Sequence, residues 1–122
     1  MNLEDPRPGG AQRFAAAMAR IRAAGLTTLA GEKVVSWEDF GSGEYHAGAL
    51  TEPILDRPDR RDVAQPIPLS NGLKFRLESG AFAAFRPSGT EPKLKVYLQS
   101  RSDEALLDKL EAEARKLLGL RA

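Results

Sequence analysis

Arg86, Ser88, Gly89, Thr90, Lys93 and Lys95 crowd one short stretch of the chain. Together they supply a planar guanidinium fork, two hydroxyls, two ammonium groups and a glycine amide. Pro87 and Pro92 bracket the stretch, and each fixes its own φ and restrains the residue before it. Gly89 permits a turn with positive φ, where converging N–H groups form a concave nest for an anion. Donors of this kind suit a bound phosphate. The competing reading is a plain hairpin connection with basic residues on its solvated side. Glu91 would repel an anion, so its expected role is confined to the turn and the backbone.

The flanks of this stretch carry strand patterns. Phe82-Ala83-Ala84-Phe85 leads in as an apolar segment, and Leu94-Lys95-Val96-Tyr97-Leu98 leaves it in strict alternation. Leu94, Val96 and Leu98 are expected inward, with Lys95, Tyr97 and Gln99 outward. Lys93 and Lys95 then share one strand face. Residues 73–78 alternate Leu73, Phe75 and Leu77 against Lys74, Arg76 and Glu78, and Ser79-Gly80 turns that strand into residues 81–85. Residues 33–40 read as an earlier strand, with Val35 and Trp37 on one face and Val34 and Ser36 on the other.

Helices are expected at both ends. In residues 12–24, Phe14, Met18 and Ile21 recur at helical spacing, and Gly25 stops the pattern. In residues 103–118, Leu106, Leu107, Leu110, Ala114, Leu117 and Leu118 form a stripe. Ser102 is the expected N-cap there, with Asp103 and Glu104 in the first turn and Gly119 at the end. The order is helix, strand, loop, three hairpin-connected strands, helix. This predicts an α+β domain with an antiparallel sheet and helices packed on one face.

The remaining segments read as connections. Residues 1–10, with Pro6, Pro8, Gly9 and Gly10, read as a linker or tail, leaving residues 11–122 as a single domain. Gly41-Ser42-Gly43 opens a loop holding Tyr45 and His46; it neither ends a βαβ strand nor opens a helix, so it carries no phosphate motif. Residues 51–65 mix proline with charges of alternating sign and read as a solvated loop.

Composition narrows the function. The 122 residues are 42% hydrophobic and 29% charged, with 18 basic and 17 acidic side chains giving a net charge of +1. Such a balance argues against a dedicated nucleic-acid or membrane-surface binder. There is no cysteine and one histidine, which removes thiolate chemistry and histidine metal clusters. No apolar run spans a bilayer and no signal-peptide core is present, so a cytoplasmic location is the default.

The string Arg86-Pro-Ser-Gly-Thr-Glu-Pro-Lys-Leu-Lys-Val-Tyr97 resembles the phosphate-binding loop in the last domain of the α-D-phosphohexomutases, the phosphoglucomutases and phosphomannomutases. A looser likeness covers residues 14–118, including Gly31-Glu32-Lys33-Val34 and Leu69-Ser70-Asn71-Gly72-Leu73. The resemblance implies a four-stranded, mainly antiparallel sheet with two helices, similar to half of a TATA-box-binding protein. It implies that Arg86, Ser88, Gly89, Thr90 and Lys95, with Lys93 as a further candidate, hold the non-reacting phosphate of a sugar phosphate. Arg86 is then the bidentate anchor, and Lys95 ranks above Lys93. The substrate class implied is a hexose or pentose carrying a 1-/6- or 1-/5-phosphate.

The same resemblance implies a four-domain enzyme whose other domains supply a phosphoserine loop and an aspartate triplet for Mg²⁺. Neither a Ser-His-Asn nor an Asp-x-Asp-x-Asp string occurs here. No metal or other cofactor is therefore expected on this chain, and the chain alone, whether excised or separately encoded, is not expected to catalyse. Its expected partners are a sugar phosphate and the other domains of a parent enzyme, with no nucleic acid and no membrane. A freestanding anion- or phosphopeptide-binding module is the alternative that the same loop chemistry permits. A nucleic-acid role would rest on fold analogy alone.

Overall fold

A computed structural model describes residues 1–54, 72–88, 91–100 and 103–119. In chain order its elements are β1 (Asn2–Glu4), α1 (Gly10–Ala24), β2 (Thr28–Leu29), β3 (Glu32–Asp39), β4 (Glu44–Ala47), β5 (Leu50–Pro53), β6 (Leu73–Leu77), β7 (Phe82–Pro87), β8 (Lys93–Gln99) and α2 (Glu104–Leu117). All ladders are antiparallel, and the sheet runs β1-β8-β7-β6-β3-β4-β5 with β2 attached to β3. The α+β class is as expected. Among the described residues the sheet has eight strands, which corrects the expected four.

Three of the additional strands lie where the sequence reads as loop. Tyr45 and His46 belong to β4, opposite Glu38 and Trp37 of β3, and Thr51 and Glu52 belong to β5. These strands are short and lack an apolar alternation, so pairing rather than local pattern defines them. The expected linker at residues 1–10 carries the third: Leu3 of β1 sits opposite Leu94 and is buried. That segment is an edge strand and a helix start, not a free tail. The charged stretch from residue 55 to 71 lies outside the described residues.

The core explains the order of the rest. Leu73, Phe75 and Leu77 of β6, Ala83 and Phe85 of β7, and Leu94 and Val96 of β8 all face one side. Phe14, Ala17, Met18 and Ile21 of α1 and Leu106, Leu110 and Ala114 of α2 close over them. Each large side chain removed from water this way stabilises the fold by about 1.5–3 kcal/mol. Phe75 and Phe85 meet edge to face at 6.2 Å, the geometry their ring quadrupoles favour. Both helices therefore cover one face, and the opposite face of β6–β8 is left to Lys74, Arg76, Phe82, Ala84, Arg86, Lys95 and Tyr97.

Strand β3 departs from simple alternation. Val34 pairs with Leu77 but Ser36 pairs with Arg76, so Val35 is an inserted bulge residue and is 42% exposed. The bulge puts Val34 and Trp37 together against the core, which corrects the expected grouping of Val35 with Trp37. At α2, the Asp103 carboxylate accepts from the Leu106 N–H at 3.1 Å and is the N-cap; Ser102 lies outside the described residues. Among the described residues no helix is long and apolar enough to cross a membrane.

Candidate anion-binding site

Strands β7 and β8 pair antiparallel, with Ala83, Phe85, Leu94 and Val96 turned into the core and the polar side chains on the outer face. In the β7–β8 ladder, Arg86 stands directly opposite Lys95. Both are exposed. Directly opposed side chains lie about 4.5–5.5 Å apart at Cβ, and like charges there are unfavourable. Among the described residues neither side chain forms an ion pair or hydrogen bond. The neighbour of Lys95 on its other side is Asn2 of β1, which is neutral. Two cations thus share one rung with no ion pair to a carboxylate among the described residues, and an anion bridging them would relieve the repulsion.

Beyond that rung the strands turn. The Ser88 N–H donates to the Lys93 carbonyl at 3.0 Å, closing the neck of the loop. The Glu91 N–H donates to Ser88 Oγ at 3.3 Å, and the Lys93 N–H donates to the Glu91 carbonyl at 2.8 Å. Ser88 Oγ accepts in this arrangement and keeps its own hydroxyl proton to donate. The amides of Ser88, Glu91 and Lys93 are all used inside the loop. Gly89 and Thr90, the other expected donors, lie outside the described residues.

Lys93 differs from Lys95. Its ammonium is 3.4 Å from the Glu91 carboxylate and 3.8 Å from that of Glu4, its β1 neighbour. These are exposed pairs of little energy, about 0–1 kcal/mol, yet they offset its charge locally. The structure thus brings Arg86 and Lys95 together, sets Ser88 at the adjoining neck, and gives Lys93 acidic company. Glu91 contributes its N–H and carbonyl to the turn and its carboxylate to Lys93.

Sequence reasoning missed the group behind the loop. Asp5 is 4% exposed, and its N–H donates to the Pro92 carbonyl at 2.9 Å. Arg7 binds its carboxylate bidentately, Nε to Oδ1 at 2.8 Å and Nη2 to Oδ2 at 2.9 Å, and Arg13 Nε reaches Oδ2 at 2.6 Å. The hydrogen bonds from Arg7, then those from Arg13, hold the Asp5 carboxyl well below the usual carboxylate range. Asp5 therefore contributes stability above the ordinary carboxylate pKa, and that contribution is lost only as pH falls below it. The one local signal was Gly9-Gly10 at the start of a helix; the pairing to Pro92 is non-local.

A family model described as "Phosphoglucomutase/phosphomannomutase, C-terminal domain" matches residues 7–117. A phosphoglucomutase of Staphylococcus saprophyticus is 32% identical over 88 residues, which are 72% of this chain and 14% of that protein. One of Staphylococcus epidermidis is 34% identical over 86 residues, 70% of this chain and 14% of that protein. One of Staphylococcus haemolyticus is 33% identical over 94 residues, 77% and 15% respectively. The chain thus spans about one-seventh of the length of these curated relatives.

Proposed function

Because this chain belongs to the phosphoglucomutase/phosphomannomutase C-terminal-domain family, we propose that it anchors the non-reacting phosphate of a sugar phosphate while the remainder of such an enzyme carries out intramolecular phosphoryl transfer. The observation that carries this reading is the Arg86–Lys95 rung, two exposed cations face to face without a carboxylate partner among the described residues. Arg86 presents its planar fork to two phosphate oxygens. Lys95 supplies a second charge from the neighbouring strand, and the Ser88 hydroxyl donates from the neck. The Gly89 amide and the Thr90 hydroxyl complete the set in this proposal. Lys93, shared between Glu4 and Glu91, plays a lesser part.

The proposed role is orientation. A phosphate held at one end of a hexose or pentose monophosphate presents the other end to the group that exchanges phosphoryl. Among the described residues no three His, Cys, Asp or Glu side chains are placed to hold a metal ion. In this proposal Mg²⁺ and the phosphoryl-carrying nucleophile belong to other parts of the parent enzyme, and the isolated chain is expected to be inactive. When the rest of the enzyme closes over the sugar and excludes water, the same charge contacts strengthen.

The test is Arg86→Ala in a phosphoglucomutase that carries this chain as its last domain. It should lose roughly 2–4 kcal/mol of transition-state stabilisation, about thirty- to a thousandfold in kcat/KM. Arg86→Lys should restore only part of this, because the fork is lost. A folded Arg86→Ala enzyme with near wild-type kcat/KM would reduce the loop to a structural turn.

A further inference from the structure

The N-terminal segment approaches the candidate site from behind and grips one arm of its loop. β1 runs along β8 with Glu4 opposite Lys93, and one residue later the Asp5 N–H donates to the Pro92 carbonyl at 2.9 Å. The chain then loops back so that Gly10, the first residue of α1, packs against the same two residues, Asp5 and Pro92. A Cβ on Gly10 would stand 2.1 Å from the Asp5 carbonyl oxygen and 2.7 Å from Pro92 Cβ. Only a residue without a side chain fits there. Arg13, one turn into α1, ties the helix start down by bonding the Asp5 carboxylate and the Pro8 carbonyl, at 2.6 and 2.9 Å. Pro92 is thus bound at its carbonyl by the Asp5 amide and closely approached at its Cβ by Gly10. The next carbonyl, that of Lys93, receives the Ser88 N–H. Fixed points run without a break from Asp5 through Pro92 and Lys93 to Ser88.

We infer that the 5–10 junction is a clasp that sets the position of the phosphate loop, with Asp5 and Gly10 as positioning residues for phosphate capture. The inference rests on the Arg86 loop being the phosphate site. The physical need is plain. Arg86 and Lys95 repel one another across their rung, and the loop's own bonds at Ser88, Glu91 and Lys93 are local to it. An anion site holds its donors usefully only when they stay within about 0.5 Å of the productive geometry. The clasp supplies an external reference, because Asp5 is fixed by two guanidinium groups and α1 is fixed by the core. Loosening it lets the Pro92 arm drift, and with it the Ser88 neck.

The experiment titrates inorganic phosphate into the wild-type chain, Asp5→Asn, Gly10→Ala and Leu110→Ala. Amide and arginine side-chain resonances are followed at a temperature where each variant remains folded. Leu110 is buried in α2, so its truncation lowers Tm through a core cavity and touches no clasp contact. The phosphate dissociation constant should rise roughly three- to tenfold in Asp5→Asn and Gly10→Ala, as expected for misplaced donors. It should stay at the wild-type value in Leu110→Ala. Should Gly10→Ala fail to fold, Asp5→Asn decides. Wild-type affinity in the folded clasp variants overturns the clasp alone, as does equal weakening in Leu110→Ala. Absence of saturable binding by the wild type overturns the phosphate reading and the clasp with it.

Discussion

Arg76 and Arg86 lie on the same outer face of the sheet, on adjacent strands, and they have opposite surroundings. Arg76 sits on β6 opposite Ser36, and its Nη2 lies 2.6 Å from Oε1 of Glu38, a carboxylate only 1% exposed. Arg86 sits on β7 opposite another cation, in the open. The first charge is closed: its counterion is built in and desolvated. The second is left receptive. A basic residue on a strand is therefore not a site by virtue of charge. What distinguishes Arg86 is that the fold places Lys95 across from it, where a structural pair would place Glu or Asp.

Breaking the closed pair should have the largest effect. Glu38→Ala should lower stability by about 3 kcal/mol, the lower end of the range for a buried pair because Arg76 can still reach water. Urea unfolding measures this, and phosphate affinity in the folded fraction should not change. Closing the open pair sharpens the contrast in the other direction. Lys95→Glu should stabilise the fold slightly, by about 0.2–1 kcal/mol, through a cross-strand pair with Arg86. The same change should weaken phosphate binding tenfold or more, about 1.4 kcal/mol. A variant that gained stability and still bound phosphate normally would show that Lys95 plays no part in the site. Ser88→Ala should cost about 1 kcal/mol of binding, the value of one hydrogen bond, read from the same titration. Lys93→Ala should change affinity by about 0.5 kcal/mol or less, since Glu4 and Glu91 already occupy its ammonium.

The two regions were also unequally legible in the sequence. The β6–β7–β8 hairpins announce themselves because Leu73, Phe75, Leu77, Leu94 and Val96 alternate with charged residues, and one buried face imposes that period. The outward direction of Lys95 and Tyr97 follows from the same alternation, and Tyr97 is 47% exposed. The opposition of Arg86 and Lys95 needs the register as well, which the loop between them sets. The other side of the sheet was obscure. Val35 is a bulge residue, and an inserted residue reverses the inward and outward sense of everything after it. β4 and β5 have four residues each and only Tyr45 among them is buried, so no apolar face imposes a period on them. β1 is defined by partners some ninety residues away in sequence, as in Asn2 opposite Lys95, a relation that no local pattern carries. For the same reason Asp5 and Gly10 could not be connected with Pro92 before the fold was known.

The most direct measurement is a phosphate titration of this chain that watches the side-chain Nε–H resonances of Arg76 and Arg86 together. Arg86 should shift and saturate with a dissociation constant on the order of a millimolar, about 4 kcal/mol, while Arg76 stays in place beside Glu38. Equal, non-saturating drift of both signals would contradict the account, because phosphate would then be screening the whole face rather than occupying a site.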